Sequence, residues 1–118
     1  MKAKERIFSV ADYVRPSDSE PIRSVVLETE DSVIVVWHAH PRQEIAAHVH
    51  PHGQDTWIVI SGEAEYYLGS DVTTHLETGD IAIARPGQVH GALNIGSVPF
   101  IFVSMVSPSN AGFKLAEK

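Results

Sequence analysis

A chain of 118 residues, 43% apolar and 20% charged, is long enough for one globular domain and too short for two comfortable ones. Its net charge of −6, with no cluster of lysine and arginine, argues against nucleic acid as a partner, and the lack of cysteine removes disulfides and thiolate ligands. The longest apolar run, residues 33–37, is far too short to span a bilayer, and no apolar segment follows the basic start Met1-Lys2-Ala3-Lys4-Glu5-Arg6. No secretory signal or membrane span is read, and a cytoplasmic setting is expected.

In chain order, residues 9–13 suit a single helical turn with Ser9 as N-cap, and residues 15–21 form a polar loop, so that residues 1–21 make an N-terminal arm. β-branched runs at 22–27 and 32–40 flank the polar hairpin turn Glu28-Thr29-Glu30-Asp31. Further strands are expected at 56–60, 63–68, 72–76, 81–84 and 99–107, each bounded by turn residues such as Gly69-Ser70-Asp71 and Thr78-Gly79-Asp80. The tail, residues 108–118, reads at 110–118 as a short helix or a frayed end, and Gly112 favours the latter. Helix is minimal. Turn signals at short, regular spacing are the pattern of an all-β sandwich or barrel of eight or so short strands, with room inside for side chains and one ligand.

Of the 7 histidines, five fall between His38 and His52. Residues two apart on a strand share a face, so His48 and His50 can reach one point in space. His90, after Pro86-Gly87-Gln88-Val89, stands on a second segment that reads as a strand or strand end. Neutral imidazole is the commonest protein ligand for transition metals, and these three histidines would form a metal cup if the two strands are neighbours. His75 reads as a surface residue. The His38/His40 pair reads as a surface or inter-subunit pair in preference to a second metal site.

The spacing around these histidines resembles the two motifs of the cupins. In the first, a glycine is followed after five residues by His-x-His, after three or four by glutamate and after six by glycine; here residues 43–47 precede His48-Val49-His50, residues 51–54 are spacers, Asp55 takes the glutamate slot, and residues 56–61 lead to Gly62. The second motif begins at Gly79 and continues through Arg85-Pro86-Gly87 and His90 to Asn94. The likeness covers roughly residues 33–106. Arg42 stands where the first glycine is expected, Arg85 takes the proline slot with Pro86 one residue late, and Asp55 is one methylene shorter than glutamate.

The resemblance implies one cupin domain over residues 1–118, a double-stranded β-helix or jelly-roll barrel. It implies a divalent transition metal (Fe, Mn, Ni or Zn) held by His48, His50 and His90, with Asp55 or Gln54 as fourth ligand. Three imidazoles and a carboxylate leave coordination positions open for chemistry. Dioxygenase or isomerase/lyase chemistry on a small oxygenated organic or sugar-like substrate is then expected, the alternative being a non-catalytic ligand-binding or sensor cupin. Asp55 is a candidate catalytic carboxylate, and His52, in a Pro-His-Gly turn, a candidate acid or base at the mouth of the cup; Glu44 is a second candidate proton shuttle. Trp57, Tyr66, Phe100 and Phe102 suit the core or wall, and in so narrow a barrel a wall residue also touches substrate. Arg85 would clamp a substrate carboxylate if it points inward, and is otherwise a solvent-facing turn residue. Residues 33–37 and 99–105 are apolar on both strand faces, which points to a homodimer.

Overall fold

The computed structural model describes residues 6–118, so the basic start of the chain, apart from Arg6, lies outside the described residues. After a 3-10 turn at Val10–Tyr13, ten strands follow: β1 (Ser24–Glu28), β2 (Val33–Ala39), β3 (Glu44–Val49), β4 (Gln54–Ser61), β5 (Glu63–Gly69), β6 (Val72–Glu77), β7 (Ile81–Ala84), β8 (His90–Leu93), β9 (Phe100–Ser107) and β10 (Lys114–Leu115). They form two antiparallel five-stranded sheets, ordered β1-β2-β9-β4-β7 and β10-β3-β8-β5-β6.

Period-two alternation decides which side chains enter. Along β4, Asp55, Trp57 and Val59 are buried while Gln54, Ile58 and Ile60 are exposed. The inward rows of the two sheets meet in a core of Trp57, Val59, Phe100 and Phe102 against Ile45, Tyr66, Leu76 and Ala92. Phe102 is stacked on Trp57, with ring centroids 4.0 Å apart, and lies 6.3 Å from Trp37 on its other side.

β3 and β8 fall in stretches where the pattern of β-branched residues is weakest. Glu44-Ile45-Ala46-Ala47 and His90-Gly91-Ala92-Leu93 carry little intrinsic strand preference. They become strands by pairing with one another and with β10 and β5. The tail is neither helix nor frayed end. Gly112 adopts φ +82°, turning the chain so that Lys114 and Leu115 pair with Val49 and His48. This covers the free edge of β3. Ala116 N–H donates to the Ala47 carbonyl at 3.0 Å and Asp71 N–H to the Lys118 carbonyl at 2.7 Å, which extends the seam to the end of the chain.

One departure from the motif, Arg42, and one match to it, Asn94, have plain structural consequences. Arg42, in the glycine slot, takes φ 74°, the left-handed conformation that glycine adopts without strain. Asn94 is buried and fully used: its amide donates to the Ala39 and Val98 carbonyls at 2.9 and 3.0 Å, and its Oδ1 accepts the Gly96 N–H at 2.9 Å. It ties the end of β8 to both β2 and the entry to β9.

Candidate metal centre

His48 at the end of β3 and His90 at the start of β8 are direct cross-strand partners, and His50 follows on the same face one residue beyond β3. Asp55 comes from β4, in the opposite sheet, and faces them across the interior. One ligand atom from each of these four residues lies within 4.8 Å of the other three. His48, Asp55 and His90 are buried, and the His50 side chain is 11% exposed.

The hydrogen bonds around the rings fix their tautomers. Nδ1 of His48 meets the Ala46 carbonyl at 2.7 Å, Nδ1 of His50 the Gly112 carbonyl at 2.7 Å, and Nδ1 of His90 the Gln88 carbonyl at 3.0 Å. A carbonyl oxygen only accepts, so each Nδ1 carries the proton and, in the neutral ring, each Nε2 lone pair is bare. Those lone pairs turn inward. Nε2 of His90 is 2.9 Å and Nε2 of His50 3.3 Å from Oδ2 of Asp55, while Oδ1 accepts the Ser104 hydroxyl at 2.9 Å. A bare nitrogen and a carboxylate oxygen repel at such distances unless a cation lies between them. The donor set could therefore hold a proton or a metal ion, and three imidazoles with one carboxylate suit Fe, Mn, Ni or Zn.

Electrostatics bear this out. Burial lowers the His48 pKa to about 4, helped by the neighbouring His90, so His48 is neutral at physiological pH. Burial also opposes charge on His50, but the Asp55 carboxylate and the Gly112 carbonyl outweigh it and raise its pKa above 6.5. Burial likewise works against an ionised Asp55, but a protonated His50, the adjoining His90 ring and the Ser104 hydroxyl hold it well below the usual carboxylate range. A proton on His50 is thus favoured in the metal-free centre, and a metal bound there would displace it. At pH 6.5, metal binding is expected to release more than half a proton per site, falling toward zero as pH rises through the His50 pKa. Titration calorimetry in buffers of different ionisation enthalpy measures this directly, and a release independent of pH would contradict it.

The centre opens on a cavity of about 610 Å³. Its apolar wall includes Val33, Val35, Trp37, Trp57, Val106 and Phe113, and its polar rim includes Glu20, Arg23 and Glu44. Phe113 lies 5.1 Å from the His48 ring and 6.1 Å from the His50 ring, centroid to centroid, so the tail supplies both a wall and the carbonyl that orients His50.

A family model described as a cupin domain matches residues 35–106. The chain belongs to the cupin family. A crystal structure of an uncharacterized conserved protein with a double-stranded beta-helix domain, from Klebsiella pneumoniae, is 76% identical, covers 97% of this chain and 99% of its own, and has a TM-score of 0.95. An RmlC-like cupin from Desulfovibrio desulfuricans is 23% identical over 92% of this chain and 98% of its own, with a TM-score of 0.75. The TT1209 protein of Thermus thermophilus is 21% identical over 87% of this chain and 97% of its own, with a TM-score of 0.81. The likeness to these last two concerns the fold alone. No curated protein matches. The expected all-β, double-stranded β-helix architecture is the architecture of this cupin.

The structure brings His48, His50, Asp55 and His90 together and leaves other candidates outside. Gln54 is exposed, because adjacent strand residues point to opposite faces; its amide contacts Thr56 Oγ1 at 3.5 Å, so between the two alternatives for a fourth ligand only Asp55 faces the histidines. His52 is exposed in its turn, its backbone N–H bound to the Ala111 carbonyl at 2.8 Å, and it does not line the cavity. Arg85 is exposed and outside the cavity wall, its N–H capped by Gln88 Oε1 at 2.8 Å. Trp57 lines the cavity, whereas Tyr66, Phe100 and Phe102 sit behind it in the core. Glu44 lines the rim, where it accepts the Tyr67 hydroxyl and pairs with Lys118 at 3.3 Å. His75 is at the surface between Glu63 and Glu77. His38 is buried on β2 against His40, with ring centroids 4.6 Å apart, and is not a surface residue. Sequence reasoning missed Arg23, Ser104, Gly112 and Phe113. Only Ser104 left a trace, as a polar residue inside the apolar run of β9.

Proposed function

We propose that this cupin is a metalloenzyme whose His48, His50, Asp55 and His90 hold a divalent transition metal and whose substrate is a small oxygenated organic molecule. The observation that supports it is the set of three imidazoles, each locked by a backbone carbonyl, gathered with Asp55 so that their ligand atoms lie within 4.8 Å of one another, at the edge of a cavity sized for a small molecule. A metal bound there supplies Lewis-acid or O₂-activating chemistry at its open positions, of the isomerase/lyase or dioxygenase kind. The protein's own part is orientation, exclusion of water and proton handling. Trp37 and Trp57 keep water from the apolar side of the cavity, and Glu44, held by Tyr67 and Lys118, is placed to take or return a proton at the rim. His52 has no part in this reading because it stands outside the cavity.

Mass-spectrometric metal content of untagged protein prepared without chelators tests the proposal. Near-stoichiometric metal, lost in the His48→Ala/His90→Ala variant, is expected. No metal even after reconstitution would sink it and put a carrier or sensor of organic ligands in its place.

Two further expectations belong to this reading. One is a cytoplasmic setting; no helix among the described residues is long and apolar enough to cross a membrane. The other is a homodimer, supported by the outer face of the first sheet, where Ile58, Ile60, Ile81, Ile83 and Met105 are exposed on neighbouring strands. Light scattering should give twice the 12.9 kDa chain mass, and Ile81→Glu should return it toward the monomer.

A further inference from the structure

The cavity wall carries four charged side chains, Glu20, Arg23, Glu44 and Asp55. Two of the acids are already answered within the protein: Asp55 by His50, His90 and Ser104, Glu44 by Tyr67 and Lys118. Arg23 is the one permanent cation on the wall, and among the described residues it has no ion-pair partner. It sits close enough to the centre for its charge to be felt at His50. A guanidinium offers a planar fork of donors that matches a carboxylate in two parallel hydrogen bonds. The remaining wall is dominated by Val33, Val35, Val106 and Phe113, which offer no hydrogen bonds, and by Trp37 and Trp57, which offer one indole N–H each, too few donors for the many hydroxyls of a sugar.

We propose that the ligand of this cupin is an organic acid with an apolar body. Its carboxylate pairs with Arg23, its body lies along Trp37, Trp57 and Phe113, and a second oxygen function faces the centre formed by His48, His50, Asp55 and His90. The inference names the substrate class for the function proposed above and rests on that reading for the last of these contacts alone. Arg23 is thereby a specificity-determining residue, selecting acids over neutral analogues of the same shape.

The chain contains 2 tryptophans, and both line the cavity, so intrinsic fluorescence reports its occupancy. The probes are α-ketoisocaproate (a branched apolar oxo acid), its methyl ester and glucuronate, titrated against the parent, Arg23→Gln and Arg23→Lys. α-Ketoisocaproate is expected to shift the emission saturably. The ester should bind about tenfold more weakly or worse, the loss expected when a charge-assisted hydrogen bond is forgone. Glucuronate, equally charged but clothed in hydroxyls, should bind more weakly than α-ketoisocaproate. Arg23→Gln should bring the acid down to the level of the ester, and Arg23→Lys should keep part of the difference. Equal binding of acid and ester by the parent, undiminished binding of the acid by Arg23→Gln, or no binding of the acid by the parent at millimolar concentration would each overturn the inference.

Metal content of the same preparations separates this outcome from the fate of the proposed function. Arg23→Gln should hold as much metal as the parent, which also shows that it is folded. A parent that lacks metal yet binds the acid through Arg23 would sink the metalloenzyme reading and leave the acid site standing. A parent that holds metal but shows no dependence on Arg23 would do the reverse.

Discussion

His90→Ala is expected to weaken metal binding by on the order of a hundredfold or more, whereas His75→Ala should leave it unchanged. Structural four-ligand sites bind zinc with roughly 10–16 kcal/mol, or about 2.5–4 kcal/mol per ligand, and each 1.4 kcal/mol is tenfold. His90 is also the deepest of the three histidines. Its side chain is 1% exposed, its Nδ1 is tied to the Gln88 carbonyl and its Nε2 lies 2.9 Å from Asp55, so water is poorly placed to substitute for it. His75 sits at the surface between two glutamates and serves as the control for an adventitious histidine effect. Competition against a chromophoric chelator gives the two affinities. A loss below threefold for His90→Ala would mean that His48, His50 and Asp55 suffice without it.

The second large effect concerns stability. Phe102→Ala should cost about 3–5 kcal/mol, the range for deleting a fully buried aromatic ring. Phe102 is 0% exposed, stacked on Trp57 and flanked by Trp37 and Phe100, so its neighbours have little freedom to collapse into the space. Against a total stability of about 5–15 kcal/mol that is a large share. Leu68, on β5 in the other sheet and facing outward, is 53% exposed, and Leu68→Ala should cost about 1 kcal/mol or less. Urea unfolding of the two variants checks the contrast. Similar losses in both would mean that the outer face of the second sheet is as tightly packed in solution as the core. Because Trp37 and Trp57 also line the cavity, loosening Phe102 should weaken ligand binding as well as the fold.

Much of the site was legible because the cupin spacing repeats a geometric fact. Residues 48 and 50 share a strand face, and Asp55, Trp57 and Val59 share another, so the motif lists inward positions. The strands at 63–68, 72–76 and 81–84 were equally plain, since alternation and turn residues agree there. Residues 44–49 and 90–93 were legible only as strands or strand ends around their histidines, without bounds, because their strand state comes from cross-strand partners and hardly from their own composition. Arg85 and Arg23 show the same division. Arg85 lies beside the second motif in sequence yet points to solvent, while Arg23, in a stretch without a motif, reaches the cavity through the course of the first sheet.

By itself the amino-acid sequence determined the all-β class, most strand positions, the family and the three histidines of the centre, because those rest on local periodicity and spacing. Only the tertiary structure decided that Asp55 and not Gln54 faces the histidines, that the tail becomes β10 and orients His50 through Gly112, and that Arg23 and Phe113 shape the cavity. Each of those depends on which elements pack across the interior or along a free edge. Contacts between residues so far apart in the chain leave no periodic trace in it.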